Sequence, residues 1–135
     1  MNRKAFIKTS CSLLALGAIG QLGGACSTYK VLKVESKDGL IRIPLSAFDL
    51  EDTKLVRVPK MEYDILVRKI DNQSYTALLL KCTHQDWNLI AGKSNIHCTA
   101  HGSEFDWMGN VKVGPAALGL KRFQTKIEND ILILS

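Results

Sequence analysis

CTHQDWNLIAGKSNIHCTAHGSEFD, residues 82–106, holds two of the four cysteines in the chain and all three of its histidines. The spacing is tight. Cys82 and His84 are separated by one residue, Cys98 and His101 by two. Gly102 follows the second histidine, where the backbone must turn sharply and only a residue without a Cβ does so freely. Each of the two segments therefore offers one thiol and one imidazole, and two such loops converging from adjacent hairpins would build a mixed sulfur and nitrogen site for a metal. His97 abuts a candidate ligand but lies outside this pairing, and it reads as a strand residue.

Outward from these loops the pattern is β. IRIPL sets Ile41, Ile43 and Leu45 against Arg42 and Pro44, and this alternation has the period of a strand. VRV, YDILVRKI and YTALLL continue with β-branched and aromatic residues, and the chain closes with KIEND followed by ILIL. Between them stand turn signals: KDG at 37–39, DNQS at 71–74, MGN at 108–110 and END at 128–130. No segment is long and periodic enough for a helix, although SAFDLED can make one turn. The chain has 135 residues, 46% of them hydrophobic, which suits a single domain with a modest core.

The N-terminus has a different character. Residues 1–25 open on the positive NRKAFIK, continue through the apolar LLALGAIG and end on small residues before Cys26. This is the layout of an export leader, so the folded domain is expected to be residues 26–135. Arg3, Lys4 and Lys8 belong to the leader, so most of the formal net charge of +5 does too. No basic stripe with interleaved aromatics follows, and nucleic acid is not an expected partner. RKAFIK resembles a twin-arginine export signal, and LGGAC resembles the lipobox of bacterial lipoproteins, in which the cysteine is acylated. That resemblance implies an exported protein on the periplasmic or envelope side, held to the membrane by lipid at Cys26. The alternative is an uncleaved N-terminal anchor.

C-x-H, a short hairpin, then C-x-x-H-G-S-x-F-D resembles the two cluster loops of Rieske domains, and GPAALGLKRF at 114–123 is similar to the loop that covers the cluster in that family. The resemblance runs from about Tyr63 to the end of the chain. It implies a small antiparallel Rieske-type β sandwich with a two-loop cluster-binding subdomain. It also implies one 2Fe-2S cluster with Cys82 and Cys98 on one iron and His84 and His101 on the other, and Ser103 beside it as a hydrogen-bond donor. Thiolates suit ferric iron bridged by sulfide, and neutral imidazoles leave the second iron easier to reduce.

Two branches of the family meet in this chain. The subunits of cytochrome bc complexes resemble C-T-H-x-G-C and C-P-C-H-G-S, whose extra cysteines form a disulfide; here those positions are Trp87 and Ala100. CTHQDW looks instead like the first loop of Rieske-type ferredoxins. Ser103 resembles the high-potential proteins, while Phe105 stands where those have a tyrosine. No second set of iron ligands is present for oxygen chemistry. The expected activity is single-electron transfer between a redox protein donor and acceptor. A subunit of a membrane or periplasmic oxidoreductase complex is one alternative, and a structural Cys2His2 zinc module, which would be colourless, is another.

Overall fold

The computed structural model describes residues 29–135, so the leader and Cys26 lie outside the described residues. These residues form β1 (Val31–Lys33), β2 (Ser36–Lys37), β3 (Leu40–Pro44), β4 (Thr53–Arg57), β5 (Ile65–Lys69), β6 (Tyr75–Leu79), β7 (Leu89–Ala91), β8 (Ile96–Cys98), β9 (Glu104–Phe105), β10 (Val111–Val113), β11 (Thr125–Glu128) and β12 (Ile131–Leu134). Among the described residues a single 3-10 turn, Leu45–Phe48, overlaps the start of SAFDLED, the stretch read as able to make one turn. The all-β expectation holds.

The strands form three sheets of four, in the orders β2-β3-β12-β11, β1-β4-β5-β6 and β7-β8-β9-β10. Every pairing is antiparallel except β1 with β4, which is parallel. The β1–β4–β5–β6 sheet is the middle layer, and side-chain alternation explains why it is apolar on both faces. Val56, Ile65, Val67, Tyr75 and Ala77 pack with Ile41, Ile43, Leu132 and Leu134 of the first sheet. Leu55, Leu66 and Leu78 point the other way, into a core shared with Leu89, Ala91, Ile96 and Phe105 of the third. A strand buried on both faces reads as a continuous apolar run, as ILV does in β5.

Turn chemistry sets the registers. Asp38 and Gly39, with φ of 57° and 74°, link β2 to β3, and Asn129 and Asp130, at 48° and 61°, link β11 to β12. Two consecutive residues at positive φ give the hairpin turn whose twist matches the strands it joins, which is why Asn, Asp and Gly sit there. After β6 the chain leaves the middle layer, builds β7 to β10, and returns along the free edge of β6. On that return Phe123 donates its amide to Ala77 and Lys121 accepts the amide of Leu79. The excursion therefore covers an edge that would otherwise present unpaired backbone groups.

Candidate metal centre

Residues 82–88 leave β6 and residues 98–103 connect β8 to β9, so both loops lie at one end of the third sheet, where Leu89 pairs with Cys98. The first loop closes on itself through the amide of Cys82, which donates to the carbonyl of Trp87 at 2.8 Å. The second closes twice: Gly102 donates to the Cys98 carbonyl at 3.0 Å, and the Cys98 amide donates to the Ser103 carbonyl at 2.8 Å. Gly102 has φ of +80°, as its place after His101 required.

The four predicted donors divide by depth. Cys82 and Cys98 are buried and free of any disulfide. His84 and His101 are exposed, with ring centroids 4.9 Å apart and planes at 83°. Burial, the largest single influence, pushes the Cys98 thiol up, but the amides of His101 and Ala100 and the Cys82 thiol act on it in the opposite direction and leave it below its ordinary value. Donors aimed at a sulfur favour its anionic form, the form that binds metal. Among the described residues no three His, Cys, Asp or Glu side chains gather around one point. The set is two inner sulfurs and two outer imidazoles, which fits a binuclear centre with unlike ends better than a closed mononuclear shell.

The surroundings hold both loops to the rest of the domain. Thr83 Oγ1 donates to the carbonyl of Leu118 at 2.6 Å, tying the first loop to the 114–122 segment that begins at the cis Gly114–Pro115 bond. The Tyr63 hydroxyl donates to the Asp86 carbonyl at 2.6 Å, while the Asp86 carboxylate pairs with Lys81 at 3.1 Å. Ser103 is wholly buried; its hydroxyl accepts the amide of Ala116 at 3.0 Å, which leaves its own proton for another acceptor. The covering segment in turn lies close on the β9–β10 hairpin, where Leu120 donates to the Gly109 carbonyl at 2.8 Å and a Cβ on Gly119 would fall 2.8 Å from that same oxygen. His97 sits mid-strand on β8, paired with Ile90 and Glu104, apart from the other two histidines.

Sequence reading missed Thr83, Tyr63 and Lys81 as supports of the first loop. The only signal for them was proximity to Cys82 in the first and third, and none pointed to Tyr63, which stands two residues before β5.

Residues 44–124 match the family model described as Rieske [2Fe-2S] domain. The chain is similar to the cytochrome b6-f complex iron-sulfur subunit of Synechococcus sp. (strain RCC307), 40% identical over 58 residues that make up 40% of this chain and 32% of that protein. It is also similar to the subunit of the same name from Chlorobaculum thiosulfatiphilum, 32% identical over 62 residues, 44% of this chain and 34% of that one. The matched part is thus about a third of the length of these relatives. Among solved structures, the plasma membrane Rieske protein PetC3 from Synechocystis PCC 6803 superposes with a TM-score of 0.56 at 21% identity, over 68% of this chain and 94% of that one. With its fold, its two converging loops and a family match over most of the described residues, the chain belongs to the Rieske 2Fe-2S family and carries one such cluster for electron transfer.

Proposed function

We propose that Cys82 and Cys98 bind the inner iron and His84 and His101 the outer one, in an exported domain that is held to the membrane by lipid on Cys26 and passes single electrons between redox proteins. The observation that carries this reading is the exposed imidazole pair standing over a buried cysteine pair. When bound, the cluster supplies a one-electron couple, within about −150 to +300 mV for centres of this type. The chain does the rest. Its thiols and their amide donors hold negative charge away from water, its loops fix the imidazoles at the surface, and the exposed Trp87 and Leu118 flank that surface with apolar area on which a partner can seat.

Ligand replacement tests this. His84→Ala and His101→Ala should each abolish the low-average-g electron paramagnetic resonance signal of the reduced protein, and His97→Ala should keep it. Retention of the signal in both of the first two variants would remove the ligand assignment. Colourless purified protein would instead favour zinc.

The similarity to cytochrome b6-f subunits favours a second reading, in which the domain is one subunit of a membrane oxidoreductase complex. Gln85 and Asp86 at the tip of the first loop are polar and exposed, which suits a protein partner in water better than an apolar quinol pocket. Mild detergent extraction separates the two: co-purification with a b-type cytochrome in fixed ratio would establish the complex.

A further inference from the structure

The chain enters the fold at the end opposite to the imidazoles. Parallel pairing puts Val31 beside Leu55, which pairs with Leu66 and that in turn with Leu78. Tyr29, two residues earlier, therefore lies level with Thr53, Arg68 and Thr76. From Thr76 the chain runs along β6 toward Cys82, six residues at about 3.3 Å each, or roughly 20 Å. The side chain of Tyr29 gives the same answer from a different sheet. Its hydroxyl donates to the carbonyl of Gly92 at 2.9 Å, and Gly92 lies in the β7–β8 turn, the far end of that hairpin from the Leu89–Cys98 pair. Its ring meets Trp107 edge-on at 6.0 Å, with Arg68 over the other aromatic at 5.1 Å. Lys30 adds an ion pair to Glu51 at 3.2 Å.

This clasp matters because of what precedes it. Cys26 stands three residues before Tyr29, a stretch that spans at most roughly 10 Å, about half the distance from Tyr29 to the cysteine pair. We propose that the docked N-terminal segment sets which way the redox tip faces: with Cys26 in the lipid, His84 and His101 face the aqueous side, and their partner is a soluble or peripheral redox protein that meets them from there, not a site inside the bilayer. The proposal rests on the reading of Cys26 as the anchor. The short tether excludes a large swing of the domain between distant partners, since β1 begins almost as soon as the tether ends.

The test uses the mature lipoprotein in phosphatidylcholine–phosphatidylglycerol vesicles, with the cluster reduced and its microwave power saturation followed. Dysprosium chelated by EDTA in the water should speed its relaxation as much as it does in the released Cys26→Ser protein, whereas dysprosium held on a chelator lipid should be less than half as effective. Inserting about ten glycine and serine residues after Cys26 makes a flexible stretch of about thirteen residues, with a mean reach of roughly 20 Å, and should bring the lipid-held ion to the aqueous level. Full effect of the lipid-held ion on the native tether, or no change on lengthening it, overturns the orientation. Mass spectrometry of the membrane-extracted protein decides the anchor separately: an unmodified Cys26 removes that reading and the proposal with it, while lipid on Cys26 leaves the relaxation result to judge the orientation alone.

Discussion

Ser103 does two jobs with one hydroxyl. It lies at the end of the second loop, its carbonyl takes the amide of Cys98, and its oxygen takes the amide of Ala116 from the covering segment. The proton left over is the one the family resemblance assigns to a cluster sulfur. A hydrogen bond of that kind stabilises the more negative reduced state and so raises the potential. Ser103→Ala should lower the potential by roughly 40 mV, the one-electron equivalent of about 1 kcal/mol, as read by protein-film voltammetry. It should also cost about 1–3 kcal/mol of stability, because the Ala116 amide is left buried without a partner. An unchanged potential beside a lowered melting temperature would assign Ser103 to packing the loops alone. Cys98 shows a similar division at one atom, where burial opposes the charge that the amides of His101 and Ala100 favour.

The β9–β10 hairpin shows why one carboxylate matters to an element. Asp106 accepts the amides of Met108 and Asn110, each at 2.8 Å, and the Asn110 side chain at 2.9 Å, and Arg122 from the covering segment reaches Asn110 at 2.7 Å. Burial acts to raise the Asp106 carboxyl, but these donors and the Arg122 charge outweigh it and hold the group below its usual 3.8. A depressed folded value contributes stability that is present above the unfolded value and is lost as pH falls through the folded one. Asp106→Ala should therefore be less stable than the wild type to urea at neutral pH, by roughly 1–2 kcal/mol, and the difference should close as the pH falls below the usual carboxylate range and through the lowered folded value. A gap that stays constant into acid would show that the carboxylate charge is not what holds the turn.

How legible the elements were followed from their length. β3, β5, β6 and β12 have four or five residues with alternating or continuous apolar character, and the period of two stands out in them. β7 to β10 have two or three residues each, too few for any period, so the sheet beside the proposed ligands could be located only through its cysteines and histidines. The parallel β1–β4 pair was not foreseen, because parallel pairing depends on where a distant segment returns and leaves no local mark. The proposed donor residues stood out for the opposite reason: chemistry demands particular side chains at fixed spacing, whatever strands hold them. Thr83, Tyr63 and Lys81 act through a single contact each, and many residue types at many positions could make such a contact.

Two cores that share one sheet give the molecule two kinds of stability. Ile65 and Val67 face the core with Ile41, Ile43, Leu132 and Leu134, which contains none of the four proposed donors. Leu66, from the same strand, faces the core that includes Cys82 and Cys98. The second core is closed on its outer side by strands of only two or three residues, and joining its two loops through a metal centre would restrict the unfolded chain as any cross-link does. Removing the cluster should therefore loosen the third sheet before the other two. In native-state hydrogen exchange, the apoprotein should lose protection at β7, β8 and β9 while β4, β5 and β12 keep most of theirs. Leu66→Ala should cost about 2–5 kcal/mol and speed cluster loss, since it opens space in the core that buries the cysteines. Ile43→Ala should cost an amount of the same order and leave the rate of cluster loss nearly unchanged below the unfolding transition. Uniform loss of protection across all three sheets in the apoprotein would instead mean that the middle layer couples the cores into one cooperative unit, with the cluster stabilising the whole domain.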